Sequence, residues 1–70
     1  MSHTQKLIYA FIKSFIKKHG FVPSYREIGA GVGLKSPASV MYQLHQLAAQ
    51  GKIRIHEGRQ RAITLLEEVA

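Results

Sequence analysis

The sequence predicts an α+β domain, mainly helical, in which three helices precede a C-terminal two-stranded β-hairpin. Three observations carry this reading. Apolar residues recur at helical spacing over the first quarter of the chain, and two later stretches open on serine-based helix starts. After Gly51 the apolar pattern changes to strict alternation, the period of a half-buried strand. With 70 residues the chain forms one domain, spanning 1–70, because it is too short for two hydrophobic cores.

The first helix is predicted over 4–19. Leu7, Ile8, Phe11, Ile12, Phe15 and Ile16 fall on one stripe, while Lys6, Lys13, Lys17 and Lys18 lie off it. Gly20 suits the position just past a helix, and Lys17, Lys18 and His19 complement the negative end of the dipole. An amphipathic membrane anchor is the rival reading of this stripe, but a domain this small needs the stripe for its core.

Phe21-Val22-Pro23 reads as an extended connector, since proline disfavours helix at the residue before it. Ser24 and Glu27 then stand at capping-box spacing and open a short helix over 24–32, with Ile28 and Val32 facing inward. Gly29 and Gly31 each cost a helix about 1 kcal/mol relative to alanine, so this helix depends on tertiary packing. Gly33 ends it with a positive φ. Ser36-Pro37 starts the third helix, over 36–50, with serine at the cap and proline in the first turn. Its inner stripe is Val40, Leu44 and Leu47, with Ala48 beside it. Two helices joined by the short link through Gly33 match a helix-turn-helix.

Strands follow at about 53–56 and 62–66, with Glu57-Gly58-Arg59-Gln60 as the turn. A lone hairpin is marginal, so this one must pack on the helices. Residues 67–70 are a frayed end or the beginning of a linker. No internal repeat or low-complexity tract is present. The order of elements is that of a three-helix winged helix-turn-helix.

Composition narrows the function. Ten Lys and Arg oppose four acidic residues, all Glu, for a formal net charge of +6, which favours polyanionic partners, nucleic acid before membrane. There is no cysteine, which excludes disulfides and thiolate metal sites. No apolar run is long enough to span a membrane, and the N-terminal residues do not read as a secretion signal. The expectation is a soluble cytoplasmic protein associated with the bacterial nucleoid, without membrane, cofactor, metal or small-molecule substrate.

The third helix carries the binding argument. Its face opposite the core stripe presents Ala38, Tyr42, His45 and Ala49, flanked by Ser39, Met41 and Gln46, and bears no acidic residue. Small residues near its N-terminus let it approach base edges in a major groove. Ser39 can bond a base edge or a phosphate, Tyr42 can reach a phosphate or a thymine methyl, and Gln46 can bond adenine. Amides at the starts of the second and third helices attract anions, so Ser24, Tyr25, Arg26, Lys35 and Ser36 are expected at phosphates. Arg54, Arg59 and Arg61 on the hairpin suit a wing lying along the backbone or entering a minor groove. About four to seven phosphate contacts imply a log–log salt slope of roughly −4 to −6.

Residues 20–66 resemble the N-terminal DNA-binding domain of the LexA family, bacterial SOS-response repressors. The likeness is carried by Gly20-Phe21-Val22-Pro23-Ser24-Tyr25-Arg26-Glu27-Ile28 and Val32-Gly33-Leu34-Lys35-Ser36-Pro37-Ala38-Ser39-Val40. It continues through Leu44-His45-Gln46-Leu47, Gly51-Lys52-Ile53 and Arg61-Ala62-Ile63. The resemblance implies a third helix that reads an operator, with base contacts at Ala38, Ser39, Met41 and Tyr42. LexA proteins often carry Asn and acidic or His side chains there, so the operator does not carry over. The family's self-cleaving C-terminal domain, which also holds its dimer together, is not in this sequence. The chain is either a piece of a longer repressor or a free-standing phage or mobile-element regulator. Alone it binds weakly unless two copies meet as a homodimer on paired half-sites.

Two other classes compete. An enzyme is disfavoured because the serines sit mostly at helix starts, aspartate is absent, and His3, His19, His45 and His56 are scattered. A winged-helix protein–protein interaction module is the alternative that Met41 and Tyr42 keep open, against the basic charge. Single-stranded or RNA binding lacks the clustered strand aromatics it needs.

Overall fold

The computed structural model describes residues 2–56, 58 and 61–66. Within them the order is α1 (His3–His19), α2 (Tyr25–Val32), α3 (Pro37–Ala49), β1 (Ile53–Ile55) and β2 (Ile63–Leu65). The strands pair antiparallel, with Ile53 opposite Leu65, Arg54 opposite Thr64 and Ile55 opposite Ile63. This is the mainly helical winged helix-turn-helix the sequence predicts. The expected turn residues Glu57, Arg59 and Gln60, and the tail 67–70, lie outside the described residues.

Element ends differ from expectation by no more than one residue. α1 begins at His3 rather than residue 4 because Ser2 and Gln5 form a capping box, serine accepting from the Gln5 amide and glutamine reaching back. α3 stops at Ala49, and the strands are three residues each. The ladder nonetheless extends to a bond from the His56 amide to the Ala62 carbonyl at 2.6 Å.

Ile8, Ile12, Ile28, Val40, Leu44, Leu47, Ile53 and Ile63 form the core, each residue contributing about 1.5–3 kcal/mol by leaving water. α1 supplies a narrower stripe than expected. Ile8 and Ile12 are fully buried and Phe11, Phe15 and Ile16 half-buried, while Leu7 turns outward at 45% exposure. Polar bonds add to the apolar seam. The buried Gln5 side chain donates to Gln43 Oε1 at 3.1 Å and accepts from Gln50 Nε2 at 3.0 Å, which ties the start of α1 to α3 and to the residue that caps its end.

α2 explains its own glycines. A Cβ on Gly29 would stand 2.9 Å from the Leu34 carbonyl oxygen and 3.2 Å from Val40 Cγ2, and one on Gly31 would run into the Phe11 ring. Helix propensity is sacrificed so that α2 can lie close to α1 and to the turn. Gly33 closes α2 in the left-handed conformation at φ 80°.

Replacement of Gly29 with alanine therefore destabilises the fold. Alanine returns about 1 kcal/mol of helix propensity, but overpacking against a backbone carbonyl costs about 1–3 kcal/mol. The net expectation is a lower urea midpoint with an unchanged m-value. A raised midpoint would show that the turn yields at no cost.

Candidate nucleic-acid interface

α3 presents the surface that its sequence pattern implies. Val40, Leu44 and Leu47 are buried, and Ala38, Ser39, Tyr42, His45 and Ala49 are exposed, Tyr42 at 61%. Met41 and Gln46 are half-buried on the flanks, so they offer edges rather than whole side chains. The exposed face contains no carboxylate and is small-sided where the helix begins.

The two helix starts meet in one cleft of about 680 Å³ beside this face. Ser24, Tyr25, Arg26, Lys35, Ser36 and Arg61 all line it, with Pro37 and Val40 from α3 and Gly58 from the hairpin. Six of the eight expected phosphate-binding residues are thus brought together. Their chemistry differs between the two helices. At α2 the box is complete: Ser24 Oγ accepts from the Glu27 amide at 3.2 Å and Glu27 Oε1 from the Ser24 amide at 2.8 Å. At α3, Ser36 occupies the cap position with extended backbone but its side chain makes no capping bond. The hydroxyl expected to cap α3 is left to the cleft, beside exposed Lys35.

The hairpin arginines separate. Arg54 lies outside the cleft, lining a hollow of about 390 Å³ with His45 and Ala48 of α3. Arg59 is outside the described residues. Arg61, expected to face phosphate, lines the cleft and also reaches α2 and the connector before it. Its Nη1 donates to Glu27 Oε1 at 2.6 Å and to the Val22 carbonyl at 2.9 Å, and its guanidinium lies 4.6 Å from the centre of the Phe21 ring. Sequence reasoning missed this pairing, and no periodicity signals a contact across 34 residues.

Glu27 holds its charge more firmly than an ordinary glutamate. The Ser24 backbone amide is the largest cause of its lowered pKa, followed by the bond from Arg61; desolvation opposes both. Among the described residues no group of three His, Asp or Glu can hold a metal ion, and no helix is long and apolar enough to cross a membrane.

A family model described as the LexA DNA binding domain matches residues 1–62. The chain is similar to the LexA repressor of Carboxydothermus hydrogenoformans, 39% identical over 70 residues, covering all of this chain and 34% of the relative. It is 42% identical over 66 residues to the LexA repressor of Bifidobacterium adolescentis, covering 94% of this chain and 26% of the relative. Against the LexA repressor of Listeria welshimeri the figures are 46% over 66 residues, 94% and 32%. The chain thus spans about a third or less of these relatives.

The lowered Glu27 pKa sets a pH dependence of known sign. Because the folded value lies below 4.5, the contribution to stability is fully present above pH 4.5 and is lost as pH falls through the folded value. Acid titration of the thermal midpoint should fall more steeply below that pH for the native chain than for Glu27→Gln. Parallel curves would remove Glu27 from the acid response.

Proposed function

The chain belongs to the LexA DNA-binding domain family, and on that premise we propose that it binds double-stranded DNA sequence-specifically as the reading head of a LexA-like transcriptional repressor. α3 enters the major groove, and the hairpin lies along the backbone as a wing. The observation that carries this reading is the exposed, carboxylate-free face of α3, which opens beside the cleft holding Arg26, Lys35 and Ser36. A helix with small residues at its N-terminus can approach base edges, while flanking cations and amides hold the phosphates on either side.

In this proposal Ala38, Ser39, Met41, Tyr42 and Gln46 face the bases. Ser39 and Tyr42 supply the polar discrimination, because both are exposed. Half-buried Met41 and Gln46 contribute at the margins. Ser24, Tyr25, Arg26, Lys35, Ser36 and Arg54 face phosphates, with Arg59 assigned to the same role from sequence. Two copies on paired half-sites offset the weak binding of one small module. The setting is the bacterial cytoplasm, on nucleoid DNA, in an SOS-type or mobile-element circuit.

Selection of bound duplexes from a random pool at two salt concentrations tests the assignment. Ser39→Ala and Tyr42→Ala should each shift base preference and cost about 1–3 kcal/mol on the preferred site. Lys35→Ala and Arg26→Ala should weaken every duplex alike and flatten the salt slope by about 0.9 per lost contact. Uniform loss across sequences from the Ser39 and Tyr42 changes would sink the base-reading role.

A further inference from the structure

We propose that Arg61 serves DNA binding as a positioning residue: with Glu27 it forms a strut that sets the wing against α2, and it is not itself a phosphate ligand. The inference rests on the reading that α3 and the wing engage one duplex together. It begins with the grip of one side chain. The Arg61 guanidinium bonds the Glu27 carboxylate and the Val22 carbonyl and stacks on Phe21, so it holds three points of the α1–α2 connector and α2 at once.

The acceptor is fixed before Arg61 arrives. Glu27 Oε1 already takes the Ser24 amide in the capping box, so the carboxylate is oriented by local structure. Phe21 is likewise held, packed at 5.7 Å against Phe15 and 5.8 Å against His19 on the last turns of α1. On the other side, Arg61 directly precedes buried Ala62, whose carbonyl accepts the His56 amide, and Ile63, which pairs with Ile55. The root of the second strand is therefore tied to the start of α2. β1 packs on α3, and among the described residues Arg61, which lines the cleft, ties the hairpin to α2 and the connector before it.

Charge argues the same way. A guanidinium 2.6 Å from a carboxylate presents little net charge to a passing phosphate. Releasing it to bind DNA would break that ion pair. The strut is partly exposed, at 41% for Arg61 and 37% for Glu27, so its value lies in angle and spacing more than in stability.

The test measures affinity for the top-ranked duplex from the random pool across a salt series, for the native chain, Arg61→Ala, Arg61→Lys, Glu27→Gln and the double variant Glu27→Gln/Arg61→Ala. Glu27→Gln keeps an acceptor for the Ser24 amide, and circular dichroism at the assay temperature selects the variants that remain folded. A strut predicts that Glu27→Gln and Arg61→Ala each weaken binding about tenfold, with the double variant no worse than either. It also predicts a salt slope close to native in both, and no rescue by lysine, which cannot stack and bridge in this way. A phosphate ligand predicts the reverse, and any of these results overturns the proposal: Arg61→Ala flattens the slope by about 0.9, lysine restores binding, and Glu27→Gln binds as well as the native chain or better. Failure of the native chain to bind any duplex would instead defeat the DNA-binding reading on which the strut depends.

Discussion

The arrangement depends on how closely α2 approaches its neighbours. Gly29 lies where a methyl group would meet the Leu34 carbonyl, and its own carbonyl accepts the amides of both Gly33 and Leu34. The turn after α2 is thereby folded back on the helix it leaves, and α3 begins beside the start of α2 rather than beyond its end. That return creates the cleft. With a wider turn, Arg26 and Lys35 would face different directions, and the surface would carry scattered cations instead of two walls of one groove. A residue that weakens the helix is therefore the one that lets two helices act as a unit.

Rigid presentation of α3 follows from attachment on more than one side. Its apolar stripe packs on Ile8, Ile12 and Ile28, and its polar flank is pinned by Gln43 and Gln50 to the buried Gln5. Apolar contacts alone allow a helix to rotate or slide with small losses, because they have little directionality. An amide network is directional, and a slip would leave the buried Gln5 amide without its partners. The face that remains outside, with Ser39 and Tyr42, is thus held in register with the cleft.

What could be read from the sequence was what repeats or punctuates. The stripe of Val40, Leu44 and Leu47, the capping box of Ser24 and Glu27 and the alternation of Ile53, Arg54 and Ile55 each obey a short period, and the structure has all of them. The exposed face of α3 followed from the same geometry by subtraction. What could not be read was long in range or set by a partner. Gln5 is polar and near the N-terminus, which suggests solvent, yet it is buried with Gln43 of α3 and Gln50 at its C-cap as partners. Ser36 has the residue type of a cap without the bond. Arg61 has the look of a wing cation, and only the fold reveals the carboxylate opposite it.

That last distinction changes how a basic sequence should be understood. A formal charge of +6 says nothing about where the charge can be used. Lys6, Lys13, Lys17 and Lys18 are exposed on α1, outside the residues that line the cleft, and Lys13 lies 5.7 Å from the centre of the Tyr9 ring. At physiological ionic strength such charges act over a Debye length of about 8 Å, so they attract a polyanion without fixing its register. On the proposed reading, contact belongs to groups that line the cleft, with Arg26 and Lys35 beside Ser36. On that reading net charge governs encounter, and the geometry set by glycine, glutamine and an arginine paired with Glu27 governs what the encounter becomes.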